Sequence, residues 1–201
     1  PDKALPTGRG YDFVNADVVL NHFSVRNGRV VTPSGMEYAL IFVGGRSSQM
    51  TLPVLNKLKA LVEQGASIAG ERPRRSPSLA DDDAAFQRAA DAVWGNGERS
   101  VRIVGRGRVF VGFNADDALT RIGVFRDLMY VTEPLDEAFD AIHRKLDDGD
   151  LYYVINKRGR DFSYDISLRA SGRNVELWDP VTGEIWPASY RTENGRTILR
   201  L

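Results

Sequence analysis

The hydrophobic and polar positions in the first half of the chain follow helical spacing in some stretches and strand-like spacing in others. Residues 15–23 predict a helix that Asn15 caps, and the Asn27-Gly28 pair after it predicts a β-hairpin between two apolar stretches. The continuous apolar run 38–43 predicts a strand that is buried on both faces. Apolar positions over 52–62 then recur at helical spacing, which predicts a second helix.

A further cycle of strand and helix follows. Thr51 is suited to cap the second helix, and the short apolar run 66–70 predicts a strand parallel to the first one. Helical spacing returns at 84–94, a strand is predicted at 108–111, and a shorter helix is predicted at 115–122. Alternation of this kind favours an open parallel sheet with helices on its faces.

Strand-like patterns replace helical ones near residue 133. Two stretches, 141–146 and 151–155, flank an Asp-Gly turn and predict a hairpin. The remaining strand-like stretches are 162–168, 175–178, 182–186 and 196–201.

These patterns predict an α/β domain over 1–135 and a β-rich unit over 136–201. We expect the second unit to be an incomplete antiparallel β-sandwich, because about five strands are predicted where a sandwich usually has about seven. Either further strands lie outside the chain, or the five pack as an accessory layer on the first domain.

Composition narrows the function classes. The 27 basic and 27 acidic side chains cancel, so a broad electrostatic surface for nucleic acid or an anionic membrane is not expected. The absence of Cys excludes disulfides, thiolate metal sites and a cysteine nucleophile. The first eight residues have no apolar core of a signal peptide, and no stretch is long and apolar enough to span a membrane. Localisation is left open.

Two loops have a composition that ligand sites use. The run Arg72-Pro73-Arg74-Arg75 carries guanidinium groups that match oxyanions, but a solvated basic loop is the simpler explanation and the one we favour. The run Gly44-Gly45-Arg46-Ser47-Ser48 lies between a strand and a helix, where open α/β sheets bind ligands. It matches neither the dinucleotide fingerprint nor the Walker A motif, so turn residues explain it better.

The acidic and histidine residues do not form a recognisable catalytic or metal motif. Aspartates at 81–83 and 147–150 are numerous enough for a glycosidase pair, yet a helix start and a turn are where Asp is favoured for local hydrogen bonds. His22 and His143 are too few and too isolated for a zinc site. No metal, cofactor or catalytic residue is therefore assigned.

Several motifs in order resemble the carboxy-terminal part of family 106 glycoside hydrolases, the bacterial α-L-rhamnosidases and their relatives. The most specific of them is Glu-Leu-Trp-Asp-Pro-Val-Thr-Gly-Glu at 176–184. The others are Gly-Tyr-Asp-Phe-Val-Asn-Ala-Asp at 10–17, Pro-Ser-Gly-Met-Glu-Tyr at 33–38, Met-Thr-Leu-Pro-Val-Leu-Asn-Lys-Leu at 50–58, Arg-Ser-Pro-Ser-Leu at 75–79 and Leu-Tyr-Tyr-Val-Ile-Asn at 151–156.

The resemblance implies a flavodoxin-like or amidotransferase-like α/β domain followed by the opening of a β-sandwich. It also implies that the catalytic carboxylates and a calcium site belong to a barrel that this chain lacks. The chain would then be a non-catalytic part of a rhamnosidase-like glycoside hydrolase, with an architectural, cleft-rim or oligomerisation role, next to a catalytic barrel or another subunit. Substrate contacts are expected at Tyr11, Asp12, Asn15 and Trp178.

Two other functions stay open. A free-standing carbohydrate-binding or interaction module is suggested by aromatic residues that could stack on sugar rings, among them Trp178, Trp186 and Tyr153. A small α/β hydrolase would place its site near Gly44–Ser48, at the carboxyl ends of the strands.

Overall fold

A computed structural model describes residues 6, 8–44, 48–131, 139–161, 163–171 and 174–201. Residue contacts divide the chain into two units. Most of the first unit is Asp12–Val124, and the second unit combines Phe125–Leu201 with the short stretch 8–11. The described residues contain both helices and strands, with strands the more numerous, and this confirms the mixed α/β class that the sequence predicts.

The first unit contains four helices and seven strands within the described residues. The helices are α1 (Ala16–His22), α2 (Leu52–Glu63), α3 (Asp83–Trp94) and α4 (Ala115–Arg121). The strands are β1 (Ser24–Arg26), β2 (Arg29–Val31), β3 (Glu37–Tyr38), β4 (Ile41–Val43), β5 (Ser67–Gly70), β6 (Ser100–Val104) and β7 (Gly107–Val111).

The central sheet of the first unit has the order β4-β5-β7-β6. Its first three strands are parallel, and β6 pairs antiparallel with β7 through a short hairpin. Side chains alternate between the two faces, as in any strand. Ile68 and Val109 belong to one hydrophobic cluster with α2 and α3, whereas Ala69 and Phe110 belong to a second cluster with Ala118 of α4. The sheet therefore has helices on both faces.

The predicted strand at 38–43 is wrong as a single element. Its first part is β3, which pairs antiparallel with β2, and its second part is β4, at one edge of the parallel sheet. An edge strand has a neighbour on one side only, and the side chains of β4 are half-buried. The hairpin at Asn27-Gly28 forms as predicted, with positive φ at both residues, as a type I′ turn requires.

The first turn of α2 is stabilised differently from the prediction. Thr51 is the N-cap residue, but its side chain makes no capping hydrogen bond. The Leu52 amide instead donates to Asp81 Oδ2 at 2.7 Å, and the Ser76 hydroxyl donates to the same oxygen at 2.6 Å. These two bonds lower the pKa of the Asp81 carboxyl below its ordinary value. A carboxylate distant in sequence thus takes the role expected of the cap residue.

The second unit is built from strands in its described residues. They are β8 (Leu128–Tyr130), β9 (Phe139–Lys145), β10 (Asp150–Asn156), β11 (Asp165–Leu168), β12 (Glu176–Trp178), β13 (Ile185–Pro187), β14 (Tyr190–Glu193) and β15 (Arg196–Arg200). Four of them form an antiparallel sheet in the order β14-β15-β11-β8, and β9–β10 and β12–β13 form two-stranded ribbons. Leu128, Ile166, Leu168 and Leu199 make the buried core.

Strands β8 and β14 are absent from the sequence-based prediction. Strand β8 pairs with β11 of the second unit, although the prediction places residues 128–130 in the first domain. The division between 135 and 136 stays a prediction, because the residues around it, 132–138, lie outside the described ranges. No helix in the described ranges is long and apolar enough to cross a lipid bilayer.

Candidate functional site

Among the described residues, a densely hydrogen-bonded polar cluster lies in the second unit and centres on Asp127, which precedes β8. We call Asp127, His143, Asp150, Tyr152 and Arg169 the Asp127 cluster. The antiparallel register of β9 and β10 places His143 directly opposite Tyr152, and their rings stack with centroids 4.2 Å apart. Directly opposed residues share one face of a β-ribbon, so strand pairing alone orients both rings toward the same side.

The imidazole of His143 lies between two carboxylates. Its Nδ1 is 2.6 Å from Asp127 Oδ2, and its Nε2 is 2.7 Å from Asp150 Oδ1. An ionised carboxylate only accepts hydrogen bonds, so both ring nitrogens donate only when the ring is an imidazolium. The side chains of His143 and Asp127 are 17% and 18% exposed, so this hydrogen bond is largely shielded from solvent.

The second oxygen of the Asp127 carboxylate is also engaged. Its Oδ1 accepts from Arg169 Nε at 3.0 Å and from the Tyr152 hydroxyl at 3.2 Å. Burial, and after it the charge of Asp127, raises the pKa of Tyr152 well above its ordinary value, so the phenol stays a hydrogen-bond donor. Both carboxylate oxygens accept hydrogen bonds from side chains of the same unit. Asp127 is therefore suited to stabilising the packing of these side chains rather than to exchanging protons with a substrate.

The backbone of Asp127 is fixed as firmly as its side chain. Its N–H donates to the Gly8 carbonyl at 2.7 Å, and its own carbonyl accepts from the Arg169 N–H at 2.8 Å and from Arg196 Nη2 at 2.9 Å. The guanidinium of Arg196 also donates to the Ser167 hydroxyl at 2.7 Å. The Asp127 cluster therefore ties the β9–β10 ribbon to the segment before β8 and to the sheet strands β11 and β15.

Two of the predicted substrate-contact residues, Asp12 and Asn15, have structural roles in the first unit. The Asn15 side chain accepts from the Val18 amide at 3.0 Å and caps α1, as its spacing predicts. Asp12 accepts from the Tyr38 hydroxyl at 2.7 Å, and this bond raises the pKa of Tyr38. A substrate would have to compete with these local bonds.

The other two predicted substrate-contact residues, Tyr11 and Trp178, belong to the second unit and are also exposed. Tyr11 is 47% exposed and Trp178 is 61% exposed. The indole N–H of Trp178 donates to Glu176 Oε2 at 3.0 Å, which fixes the ring on the surface of the β12–β13 ribbon.

The basic loop after β5 is occupied by structural contacts. Arg72 pairs with Asp91 of α3 at 2.7 Å and donates to Gln87 at 2.8 Å. The Met50 amide donates to the Arg75 carbonyl at 3.2 Å, which helps to hold this loop against the segment before α2. These contacts favour the simpler explanation of the Arg-rich run.

The glycine-rich loop and the acidic runs add no catalytic geometry. Residues 45–47, the centre of the loop after β4, lie outside the described ranges, so the hydrolase site expected there has no structural description. In the acidic run before α3, Asp82 caps the helix by accepting from the Ala85 amide at 2.7 Å. Among the described residues, no group of three or more His, Asp or Glu is placed to hold a metal ion.

The Asp127 cluster is what the sequence interpretation missed. His143, treated there as isolated, is paired on both ring nitrogens. A signal was present only in part, because the predicted hairpin places His143 and Tyr152 on neighbouring strands. Counting outward from Asp148-Gly149 as a two-residue turn would pair His143 with Val154, whereas the observed register, with a four-residue loop at 146–149, pairs it with Tyr152. Asp127 lies 16 residues before His143 and in no predicted element, so local pattern gives no indication of that contact.

Comparison with known proteins adds family information. A family model described as alpha-L-rhamnosidase matches residues 1–192. A Formosa agariphila protein named "Putative beta-glucuronidase" is 28% identical over 200 residues, which are 96% of this chain and 16% of that protein. The structure of a rhamnosidase from Novosphingobium sp. PP1Y superposes over 100% of this chain and 19% of its own, with a TM-score of 0.86 and 31% sequence identity. The chain thus spans about a fifth or less of the relatives it matches.

Proposed function

The chain belongs to the alpha-L-rhamnosidase family, and we propose that it is a non-catalytic part of a rhamnosidase-like glycoside hydrolase that acts on rhamnose-containing glycosides. Its role would be architectural: to support a catalytic barrel or another subunit, to shape the rim of the cleft, or to form an oligomer contact. The observation that carries this proposal is coverage, because nearly the whole chain matches relatives of which it spans only 16% and 19%.

The hydrogen bonds of three described aspartates support a non-catalytic role. Hydrolysis of a glycosidic bond generally uses two carboxyl groups, one on each side of the bond, that are available to substrate and to water. Asp81, Asp82 and Asp127 are instead bound to backbone amides, hydroxyls or cationic side chains of the same unit. Carboxylates saturated in this way stabilise local structure and are poorly placed to transfer protons to a leaving group.

The finer description of the architecture belongs to the same proposal. We regard the β4-β5-β7-β6 sheet with helices on both faces as a reduced flavodoxin-like or amidotransferase-like domain. The second unit would be one part of an antiparallel β-sandwich. At the cleft rim, Tyr11, Asp12 and Asn15 would contact a rhamnoside by exchanging local hydrogen bonds for bonds to sugar hydroxyls.

A hydrolysis assay tests the proposal. The purified chain is incubated with 4-nitrophenyl α-L-rhamnoside beside Asp12→Asn and Asp127→Asn variants, and release of nitrophenol is followed. The expected result is a rate equal to the buffer blank for all three proteins. A rate that rises with protein concentration and is lost in one of the variants would place catalysis within this chain and refute the proposal.

A free-standing carbohydrate-binding module is the second candidate, and one observation favours it. Trp178 presents a large aromatic ring to solvent from a hydrogen-bonded ribbon rather than burying it in a core. A binding module of this kind would retain sugar affinity without any catalytic partner. A cleft-rim part would also have sugar affinity, whereas a part that only supports a barrel or forms an oligomer contact would show none.

A further inference from the structure

The β12–β13 ribbon has two faces of different character. Its antiparallel register pairs Leu177 with Trp186 and Trp178 with Ile185. Leu177 packs against the core of the second unit, so that face points inward. We call the opposite face, formed by Glu176, Trp178, Ile185 and Pro187, the outward face of the ribbon. Trp178 and Ile185 there are 61% and 55% exposed.

The turn of the ribbon is tightly built. The carboxylate of Asp179 accepts from the Val181 amide at 2.7 Å and from the Thr182 amide at 3.2 Å, and these bonds lower the pKa of Asp179. The Gly183 amide donates to the Asp179 carbonyl at 2.9 Å. At the open end, the Ala188 amide donates to the Val175 carbonyl at 2.9 Å. Both ends of the ribbon are thus closed by hydrogen bonds of their own.

The position of the indole is fixed further by its own carboxylate neighbour. Glu176 and Trp178 are two residues apart on one strand, so they share a face, and the indole N–H donates to Glu176 Oε2 at 3.0 Å. A carboxylate has about four lone-pair sites, so a single bond from the indole leaves capacity to accept from a ligand hydroxyl. A flat apolar ring and a hydrogen-bond acceptor therefore lie side by side.

Charge restricts the ligand class. Residues 176–187 contain Glu176, Asp179 and Glu184 and no Lys or Arg. Local repulsion would weaken binding of an anion, such as a uronic acid or a phosphate. A sugar ring without charge fits better, because its C–H face is apolar and its hydroxyls donate to a carboxylate.

We propose that the outward face of the β12–β13 ribbon binds an uncharged pyranoside, with the C–H face of the sugar on the Trp178 indole and a sugar hydroxyl donating to Glu176. This site deepens the proposed function and rests on it, since it names the chemistry by which a non-catalytic part holds a glycoside. It discriminates between neutral sugars and uronic acids by charge, independently of any catalytic step.

Binding to the 201-residue chain tests the site. Methyl α-L-rhamnopyranoside is titrated to about 100 mM and followed by ligand-detected NMR, with methyl β-D-glucuronide as the anionic comparison. We expect saturable, millimolar binding of the rhamnoside and at least several-fold weaker binding of the glucuronide. Trp178→Ala should weaken rhamnoside binding about tenfold, and Glu176→Gln should narrow the preference for the neutral sugar.

Phe125→Ala is the matched control, because Phe125 is an aromatic residue of the same unit that is 64% exposed and has no assigned contact with sugar. It should leave rhamnoside binding within about twofold of the unchanged chain. Near-UV circular dichroism checks the fold of each variant. If Trp178→Ala proves misfolded, Trp178→Phe replaces it in the test and should bind the rhamnoside with intermediate affinity, because its ring is smaller. Absence of saturable binding, or equal losses in Trp178→Ala and Phe125→Ala, would overturn the site. Neither result affects the hydrolysis assay, which alone decides whether the chain is catalytic.

Discussion

Replacing Asp127 by alanine should destabilise the second unit by about 3 kcal/mol. The change removes the acceptor for three donors: His143 Nδ1 at 2.6 Å, Arg169 Nε at 3.0 Å and the Tyr152 hydroxyl at 3.2 Å. The short, mostly buried bond to His143 should contribute about 2 kcal/mol, since a charged partner roughly doubles the strength of a hydrogen bond. The half-buried tyrosine bond adds about 1 kcal/mol, and Arg169, which is 58% exposed, adds less than about 0.5 kcal/mol because of solvent screening.

Urea unfolding followed by near-UV circular dichroism measures this loss. Asp148→Ala is the matched control, because Asp148 is an exposed residue of the loop between β9 and β10. It should change the free energy of unfolding by less than about 0.5 kcal/mol. A double-mutant cycle with His143→Gln should give a coupling energy of at least about 1 kcal/mol. If Asp127→Ala were as mild as Asp148→Ala, the Asp127 cluster would not hold the ribbon in place.

Three further predictions concern Tyr152 of the same cluster and two sites in the first unit. Because the pKa of Tyr152 is raised in the folded state, the protonated phenol adds stability that is fully present below the unfolded-state pKa of ~10 and is lost as pH rises toward the folded-state pKa. Alkaline unfolding followed at 295 nm should show this pH-dependent loss of stability in the unchanged chain and not in Tyr152→Phe. Phe86→Ala, in the fully buried core of the first unit, should cost about 3–5 kcal/mol in chemical unfolding, while Leu79→Ala, fully exposed, should cost almost nothing. Asp81→Ala should lower the thermal midpoint of the first unit by removing the acceptor for the first amide of α2, whereas Asp81→Asn should retain part of that bond.

The sequence predicted those turns, caps and helices that are determined by residues close together in the chain. The Asn27-Gly28 turn, the cap at Asn15 and the apolar faces of α2 and α3 each depend on residues within about a dozen positions of one another. The Asn194-Gly195 pair is the same kind of signal, with positive φ at both residues, and attention to it would have predicted the β14–β15 hairpin.

The elements that were missed are distinguished by their strand partners, some close in sequence and some distant, rather than by their own hydrophobic pattern. Strand β6 carries exposed Val101 and Ile103, and only its pairing with β7 distinguishes it from a loop. The split of 38–43 into β3 and β4 is decided by two different neighbouring strands rather than by the run itself. Hydrophobic pattern cannot indicate which strand lies beside which, since many pairings bury similar surface.

The residues of the candidate sites also differ in how far the sequence could predict them. Exposure of Trp178 is compatible with the binding role that the sequence suggested, whereas the capping role of Asn15 was visible in the sequence as an alternative use of the same residue. The Asp127 cluster brings together residues from four separate segments, and such convergence follows from the tertiary fold rather than from spacing. The functional proposal therefore depends on family membership more than on any single motif.

The rate at which the purified chain cleaves 4-nitrophenyl α-L-rhamnoside tests most directly whether the catalytic groups lie outside these 201 residues. The Novosphingobium rhamnosidase serves as the positive control in the same buffer. We predict nitrophenol release at the rate of the blank over a range of protein concentrations, while the control turns over. Release that increases in proportion to chain concentration, and that falls in Asp12→Asn or Asp127→Asn, would contradict a supporting role and place the reaction in this chain.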